Sequence, residues 1–377
     1  MIIKTKEFMQ VPIMDLSKQY QNLRSDIDKA IAGVINKSAF IRGPFVDAFE
    51  SEFADAMQMT HCLSCANGTD AIYIALKSLD VRPGDEVIVP AMSWISTSET
   101  VSQAGGQVVF CDIDPISYTL CPSDLRKKIT DKTVGIIPVH LYGHPAAMHE
   151  IKAIADSQEL WIIEDCAQAH MATIDDQLVG TWSAAATYSF YPGKNLGAMG
   201  DAGAVLTENL ELLQRMTKFA RHGGLVKGEH EIEGINSRLD GMQAAILSVK
   251  LRHLKDWTKK RRDLAAGYTE ALKHCKELVV PKEVHGCGSA WHLYVIKTSE
   301  RQELLAYLKT HGIQTGINYP RELPSLPCYE YLGHRASDFP VANELATTCL
   351  SLPLFPEMEA AEQAYVVQHD YKYFEQK

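Results

Sequence analysis

Between about residues 61 and 250 the chain alternates short, continuous apolar runs with segments of helical periodicity, and few architectures accept that pattern. Glu86-Val87-Ile88-Val89-Pro90, Val108-Val109-Phe110-Cys111-Asp112, Val134-Gly135-Ile136-Ile137-Pro138-Val139 and Trp161-Ile162-Ile163-Glu164-Asp165 are apolar on successive residues, so each strand needs cover on both faces. Strands of this kind separated by helices predict a parallel sheet sandwiched between helical layers. From about residue 251 the spacing changes. A long charged helix leads to Ala290-Trp291-His292-Leu293-Tyr294-Val295-Ile296-Lys297, then a helix around Leu304 to Leu308, a Pro-rich loop from Tyr319 to Tyr329, and a closing segment at Leu350-Ser351-Leu352-Pro353. The expected division is an N-terminal arm plus large domain over 1–250 and a small α+β domain over 251–377. At 377 residues and 46% hydrophobic composition, the chain is long enough for both cores.

Three stretches carry chemistry. In Thr187-Tyr188-Ser189-Phe190-Tyr191-Pro192-Gly193-Lys194-Asn195-Leu196-Gly197, an aromatic run ends at Pro-Gly and a second strand pattern soon follows, which places Lys194 on a tight strand-to-strand turn. An amine held there in a partly dry pocket loses its proton more readily and can attack a carbonyl; alone, the same lysine reads as a solvated surface turn. Asp165 ends the Trp161 strand, at the carboxyl edge where open parallel sheets gather ligands; alone, it reads as a helix cap. Together, a lysine and an aspartate on neighbouring strand ends match what pyridoxal 5'-phosphate requires, an amine for the aldehyde and a carboxylate for the pyridinium nitrogen. The third stretch, Cys65-Ala66-Asn67-Gly68-Thr69-Asp70-Ala71, opens a helix whose first free amides, with Gly68 and the Thr69 hydroxyl, form an anion site suited to the phosphate.

Asn67-Gly68-Thr69-Asp70-Ala71, Pro83-Gly84-Asp85-Glu86-Val87-Ile88-Val89-Pro90, Asp112-Ile113-Asp114, Pro138-Val139-His140-Leu141-Tyr142-Gly143, Glu164-Asp165-Cys166-Ala167-Gln168, Ser189-Phe190-Tyr191-Pro192-Gly193-Lys194 and Asn236-Ser237-Arg238-Leu239-Asp240 resemble, in this order, the DegT/DnrJ/EryC1/StrS family of pyridoxal-phosphate-dependent sugar aminotransferases. The resemblance runs from about residue 10 to the C-terminus. It implies the fold type I transferase architecture of aspartate aminotransferase, with L-glutamate as donor, a keto-sugar nucleotide as acceptor, and pyridoxamine 5'-phosphate between the half-reactions. It implies that Lys194 and Asp165 are catalytic, that Trp94 stacks on the cofactor ring, and that Gln168 and Ser189 bond its phenolic oxygen and phosphate. Asn236 corresponds to a residue that reaches the phosphate from a partner subunit, which implies a homodimer with the active site at its interface; the arm, with helical patterns from Gln19 to Val34 and through Phe49 and Phe53, resembles the segment that packs across that dimer. A pocket for the substrate's anionic pyrophosphate calls for cations, and Arg221, Lys227 and Arg238 are the candidates, each reading equally as a surface charge; Tyr319 is a further substrate candidate. The run from Asn236 through Gln243-Ala244-Ala245 looks more like relatives that aminate at C-3 than at C-4. Asn318 and the Leu323-Pro324-Ser325-Leu326-Pro327 loop stand where the family often has His, and His144 where it often has Gln.

The formal net charge of −10 argues against a nucleic-acid partner. The basic cluster from Lys250 to Arg262 reads as the solvated face of an amphipathic helix. No apolar stretch of membrane-spanning length and no leader pattern is visible, so a cytoplasmic enzyme is expected. The cysteines number 9 and lack framework spacing, Cys62 and Cys65 reading as packing residues; neither they nor His140, His144, His170 and His222 suggest a metal. Three other activities remain open: a sugar dehydratase, disfavoured because that class replaces the lysine by histidine; an amino-acid aminotransferase using Arg321 for the substrate carboxylate; and a cofactor-binding regulator without turnover.

Overall fold

A computed structural model of the chain describes residues 9–376. Its strands are β1 (His61–Cys65), β2 (Glu86–Pro90), β3 (Gln107–Cys111), β4 (Thr133–Ile136), β5 (Trp161–Asp165), the two-residue β6 (Thr173–Ile174) and β7 (Gln177–Leu178), β8 (Ala185–Ser189) and β9 (Gly203–Thr207). The main sheet has seven strands in the order β1-β9-β8-β5-β4-β2-β3. The expected parallel arrangement holds for β3, β2, β4, β5 and β8, whereas β9 pairs antiparallel with both β8 and β1. The exception follows from the connection: β8 and β9 are joined by the Lys194 turn without a helix, and a short turn joins strands only in opposite directions.

The helices before the second unit are α1 (Leu16–Lys37), α2 (Pro44–Ala56), α3 (Gly68–Ser78), α4 (Ser96–Ala104), α5 (Pro122–Lys128), α6 (Met148–Ser157), α7 (Leu210–Ala220) and α8 (Gly241–Leu251). Apolar runs let each strand feed two cores, because successive side chains point to opposite faces. Val87 and Val89 enter the core with α3, α4 and α7, while Ile88 enters the one with α2, α6 and α8; Ile163 and Ile162 divide the same way. Each fully buried aliphatic side chain contributes roughly 1.5–3 kcal/mol, which makes this double burial the main stabilising feature of the sheet.

The long charged helix expected after residue 250 is broken at Arg252-His253, and α9 (Leu254–Leu272) follows α8 as a separate element. Nor is its basic cluster wholly solvated: Lys250 and Arg261 are buried and donate to backbone carbonyls, Lys250 to Gly197 and Arg261 to Trp291, His292 and Leu354. Beyond α9, β10 (Cys287–Gly288) pairs with β6, and β11 (Tyr294–Lys297) pairs antiparallel with β12 (Cys349–Leu352). α10 (Arg301–Thr310), α11 (Pro340–Thr348) and α12 (Ala360–Glu375) complete the chain. A separate apolar cluster joins Tyr268, Tyr294, Leu304, Leu308, Leu350 and Val366, and Val11 of the arm is bound into it by hydrogen bonds with Gly312 and Gln314. Among the described residues no helix is long and apolar enough to cross a membrane.

Candidate active site

The Lys194 turn folds back on itself. Lys194 N donates to Tyr191 O at 2.8 Å and Ala198 N to Phe190 O at 2.8 Å, so the side chain leaves from a closed loop at the carboxyl end of β8. Although part of its surface remains open, protein surrounds the amine closely enough that burial pulls its pKa down to about 8, against the opposing pull of the Asp165 charge.

Asp165 ends β5, the neighbour of β8, with Asp165 in register with Thr187. Its side chain is 5% exposed and accepts from Thr97 Oγ1 at 3.0 Å and from the Ala167 amide at 3.1 Å. Burial nevertheless pushes its carboxyl above the usual range, with the Ala167 and Thr97 bonds and the Lys194 charge in part opposing. A buried carboxylate with spare acceptor capacity favours a cationic partner. Glu164, on the opposite face of the same strand, accepts from Gly180 N, Trp182 N, Ser183 Oγ and His140 Nε2. Among the described residues, His140, Glu164 and Cys166 come within the 4.8 Å that a shared metal needs. His140 also accepts the Ala146 amide at Nδ1, so both its nitrogens and the Glu164 carboxylate already serve one structural network.

At the start of α3, Asn67 caps the Asp70 amide at 2.8 Å, leaving the first-turn amides of Gly68 and Thr69 facing outward. Thr69 Oγ1 lies 2.6 Å from Ser96 Oγ. Gly68 lies against the end of β8: a Cβ there would sit 2.6 Å from Ser189 Cβ, and one on Gly203 would sit 2.4 Å from the Asn67 carbonyl carbon. Two glycines therefore let the α3 N-terminus and Ser189 form one narrow cup.

Above this cup, Trp94 is 59% exposed, its ring 5.7 Å from that of Tyr319. Tyr319 accepts from Gln168 Nε2 at 3.1 Å, and Gln168 Oε1 accepts from Tyr142 N at 2.6 Å, which fixes the amide and leaves one Nε2 hydrogen for a ligand. The sequence pattern missed Thr97, Tyr142 and Gln168's bonding to Tyr319; for Thr97 the only local signal was the hydroxyl-rich run Ser93 to Ser98.

Asn236 and Arg238 are exposed, and Ser237 between them is buried, bonded to Asp70 Oδ2 at 2.6 Å and to the Ala66 amide at 3.1 Å. Alternation thus turns Asn236 and Arg238 outward from the chain. Arg221, half-buried, forms an isolated bridge with Asn236; burial, then the charges of Arg42 and Arg238, lower its pKa against the pull of Glu50 and Asp47. Lys227 and Arg321 are exposed, and neither has an ion pair among the described residues. His144 is absorbed into the structure, its Nδ1 donating to Pro145 O and its Nε2 accepting from Val284 N. Asn318 Oδ1 accepts from Ser351. Cys62 and Cys65 lie in β1 as free thiols that burial pushes up. A cleft of about 730 Å³ lies elsewhere, between α1, α9 and residues 356–363.

A partly buried lysine whose pKa burial lowers to about 8, a buried carboxylate at the neighbouring strand end and a glycine-lined anion cup together define a lysine-dependent carbonyl enzyme. The chain belongs to the DegT/DnrJ/EryC1/StrS aminotransferase family, whose profile matches residues 21–369. It is 44% identical over 362 residues, 96% of this chain and 97% of the other, to the "pleiotropic regulatory protein" of Geobacillus stearothermophilus. It is 39% identical over 361 residues, 96% and 95% of the two chains, to the dTDP-3-amino-3,4,6-trideoxy-alpha-D-glucose transaminase of Streptomyces venezuelae. The crystal structure of S. venezuelae DesV superposes with a TM-score of 0.95 at 38% identity, covering 97% of this chain and 98% of that one. The fold is that of the type I pyridoxal-phosphate-dependent transferases.

Proposed function

We propose that the protein is a transaminase that moves an amino group from L-glutamate to a keto group of a nucleotide-linked sugar, preferring 3-keto over 4-keto sugars, in amino-sugar and polysaccharide biosynthesis in the cytoplasm. The observation that carries the reading is Lys194, its amine drawn down to about 8 by burial, opposite the buried Asp165 on the adjacent strand. The residues fit pyridoxal phosphate. Gly68 and Gly203 leave a cup that a Cβ would fill, with Thr69 and Ser189 at its rim, and the exposed Trp94 offers a stacking face. Gln168 keeps one amide hydrogen for the phenolic oxygen, and Asn236 is assigned to a partner subunit's site in a homodimer. When bound, the cofactor supplies an aldehyde that accepts the amino group and a ring that withdraws electrons from the adjacent carbon.

Lys194 would hold that aldehyde and serve as the acid and base that moves a proton between the reacting carbons, a task suited to an amine poised near neutral pH. Asp165 would keep the ring nitrogen protonated. Arg221, Arg238 and Tyr319 are assigned to the sugar nucleotide, the two arginines matching its pyrophosphate. The C-3 preference draws support from the Asn236-to-Ala245 run and from the name of the S. venezuelae relative. We read 1–250 as the arm and cofactor unit and 251–377 as the smaller unit.

The regulatory name of the Geobacillus relative favours a second reading, a cofactor-binding protein without turnover. Loading the protein from L-glutamate and then offering 3-keto and 4-keto nucleotide sugars and 2-oxo acids separates these readings by return of the original absorbance. Return with a 3-keto sugar supports the proposal, return with a 4-keto sugar alone overturns the C-3 preference, and return with 2-oxo acids alone overturns the sugar assignment. A protein that never loads is not a transaminase.

A further inference from the structure

The residue after the lysine has both ends of its side chain engaged by chain from the second unit. Asn195 is 3% exposed; its Nδ2 donates to Ala290 O at 2.9 Å, and its Oδ1 faces His292 Nδ1 at 3.1 Å. Because the amide nitrogen is committed to a carbonyl, Oδ1 is the acceptor, and the His292 proton must sit on Nδ1. His292 is itself buried, and burial, with the Lys194 and Arg261 charges, drives its pKa down, so it stays a neutral donor.

The segment that carries this donor is pinned from two sides. Ala290 N donates to Gly143 O and His292 N to Tyr142 O, both at 2.9 Å, joining it to the wall that holds Gln168. From α9, Arg261 Nη1 reaches the carbonyls of Trp291 and His292 at 3.3 Å and of Leu354 at 2.8 Å. Arg262 adds bonds to Ser289 O at 2.8 Å and Gly288 O at 3.1 Å. On the far side of the turn, Lys250 Nζ donates to Gly197 O at 2.8 Å. A fully buried arginine spent on three backbone carbonyls orders a loop where most such loops are left to water.

We propose that Asn195, His292 and Arg261 are positioning residues for Lys194, forming a latch through which α9 holds the lysine turn closed and its amine dry. The proposal rests on the reading of Lys194 as the reactive amine, but its consequences appear in the protein without cofactor. Loss of the latch opens the turn, admits water to the amine, and returns Lys194 toward an ordinary lysine.

The test uses cofactor-free full-length protein, with Lys194 acetylation by acetic anhydride followed by mass spectrometry from pH 6 to 11, and backbone hydrogen exchange of residues 194–198. Wild type, Asn195→Ser, His292→Leu and His292→Asn are compared, the last because its amide restores a donor near Nδ1. We expect the acetylation midpoint of Lys194 to rise by about one pH unit in Asn195→Ser and His292→Leu, an approximately tenfold loss of reactivity at neutral pH. Exchange at 194–198 accelerates in both, and His292→Asn returns both readouts toward wild type. Midpoints within 0.2 unit of wild type, or equal impairment in His292→Asn and His292→Leu, overturn the latch. Should His292→Leu not fold, Asn195→Ser on its turn decides alone. If Lys194 is not the cofactor lysine, borohydride trapping on wild type reveals it separately.

Discussion

Gly68→Ala tests the anion cup by filling it. The added Cβ would lie 2.6 Å from Ser189 Cβ, 3.1 Å from Ser189 Cα and 3.2 Å from Ser189 Oγ. The first separation is shorter than any relaxed carbon contact, and the second involves backbone paired with Gly203 in the sheet, so Ser189 cannot simply rotate away. Overpacking of this kind costs about 1–3 kcal/mol. If the strain falls on the closed cup, cofactor affinity weakens by the same amount, roughly 5-fold to 150-fold at about 1.4 kcal/mol per tenfold. Cofactor titration followed by fluorescence, beside urea unfolding without cofactor, measures both effects. Ser189→Gly in the same chain removes the nearest atom, so the double variant regains most of the lost stability but not the lost affinity, since the hydroxyl is also gone. Gly68→Ala with unchanged affinity and unchanged stability refutes the cup geometry.

Asp165→Asn keeps the shape and removes a buried charge; the cofactor-free protein unfolds at equal or higher urea, while kcat falls by about 100-fold or more. His170 is fully buried with both ring nitrogens unpartnered, and burial lowers its pKa from 6.5 to about 3. The unfolded chain therefore binds the extra proton between these values, so stability falls as pH drops from 6.5 toward 3, by up to about 1.4 kcal/mol per unit; His170→Phe flattens that part of the urea-midpoint curve, and an unchanged curve contradicts the assignment. Mixing inactive Lys194→Ala and Asn236→Ala subunits restores part of the activity by building sites with both residues intact, and no recovery after subunit exchange refutes the shared site.

Much of this arrangement is legible in the amino-acid sequence, for a physical reason. Strands buried on both faces announce themselves by continuous apolar runs, and strand ends announce ligand positions, so Lys194 and Asp165 are found from their own neighbourhoods. The direction of β9 is legible too once the Lys194 turn is seen to lack a crossover helix. What escapes is long-range polar pairing. Thr97 to Asp165 and Asn195 to His292 join residues far apart in the chain, and no local periodicity encodes which hydroxyl or imidazole will meet which partner. Arg261 shows the same limit: it sits in a basic run that reads as solvated, yet three carbonyls draw it inside. His144, which stands where the family often has Gln, holds backbone with both ring nitrogens, and its bond from Val284 is another long-range pairing that no local pattern announces.

The central claim is that Lys194 is the amine that binds the cofactor. Reconstitution with pyridoxal phosphate, reduction with borohydride and peptide mapping test it most directly. The expected result is a yellow protein whose pyridoxyl mass increment lies on the peptide containing Lys194 and is lost in Lys194→Ala, although that variant still binds pyridoxamine phosphate through the cup and ring contacts. An increment on another lysine, or none after reconstitution, contradicts the account.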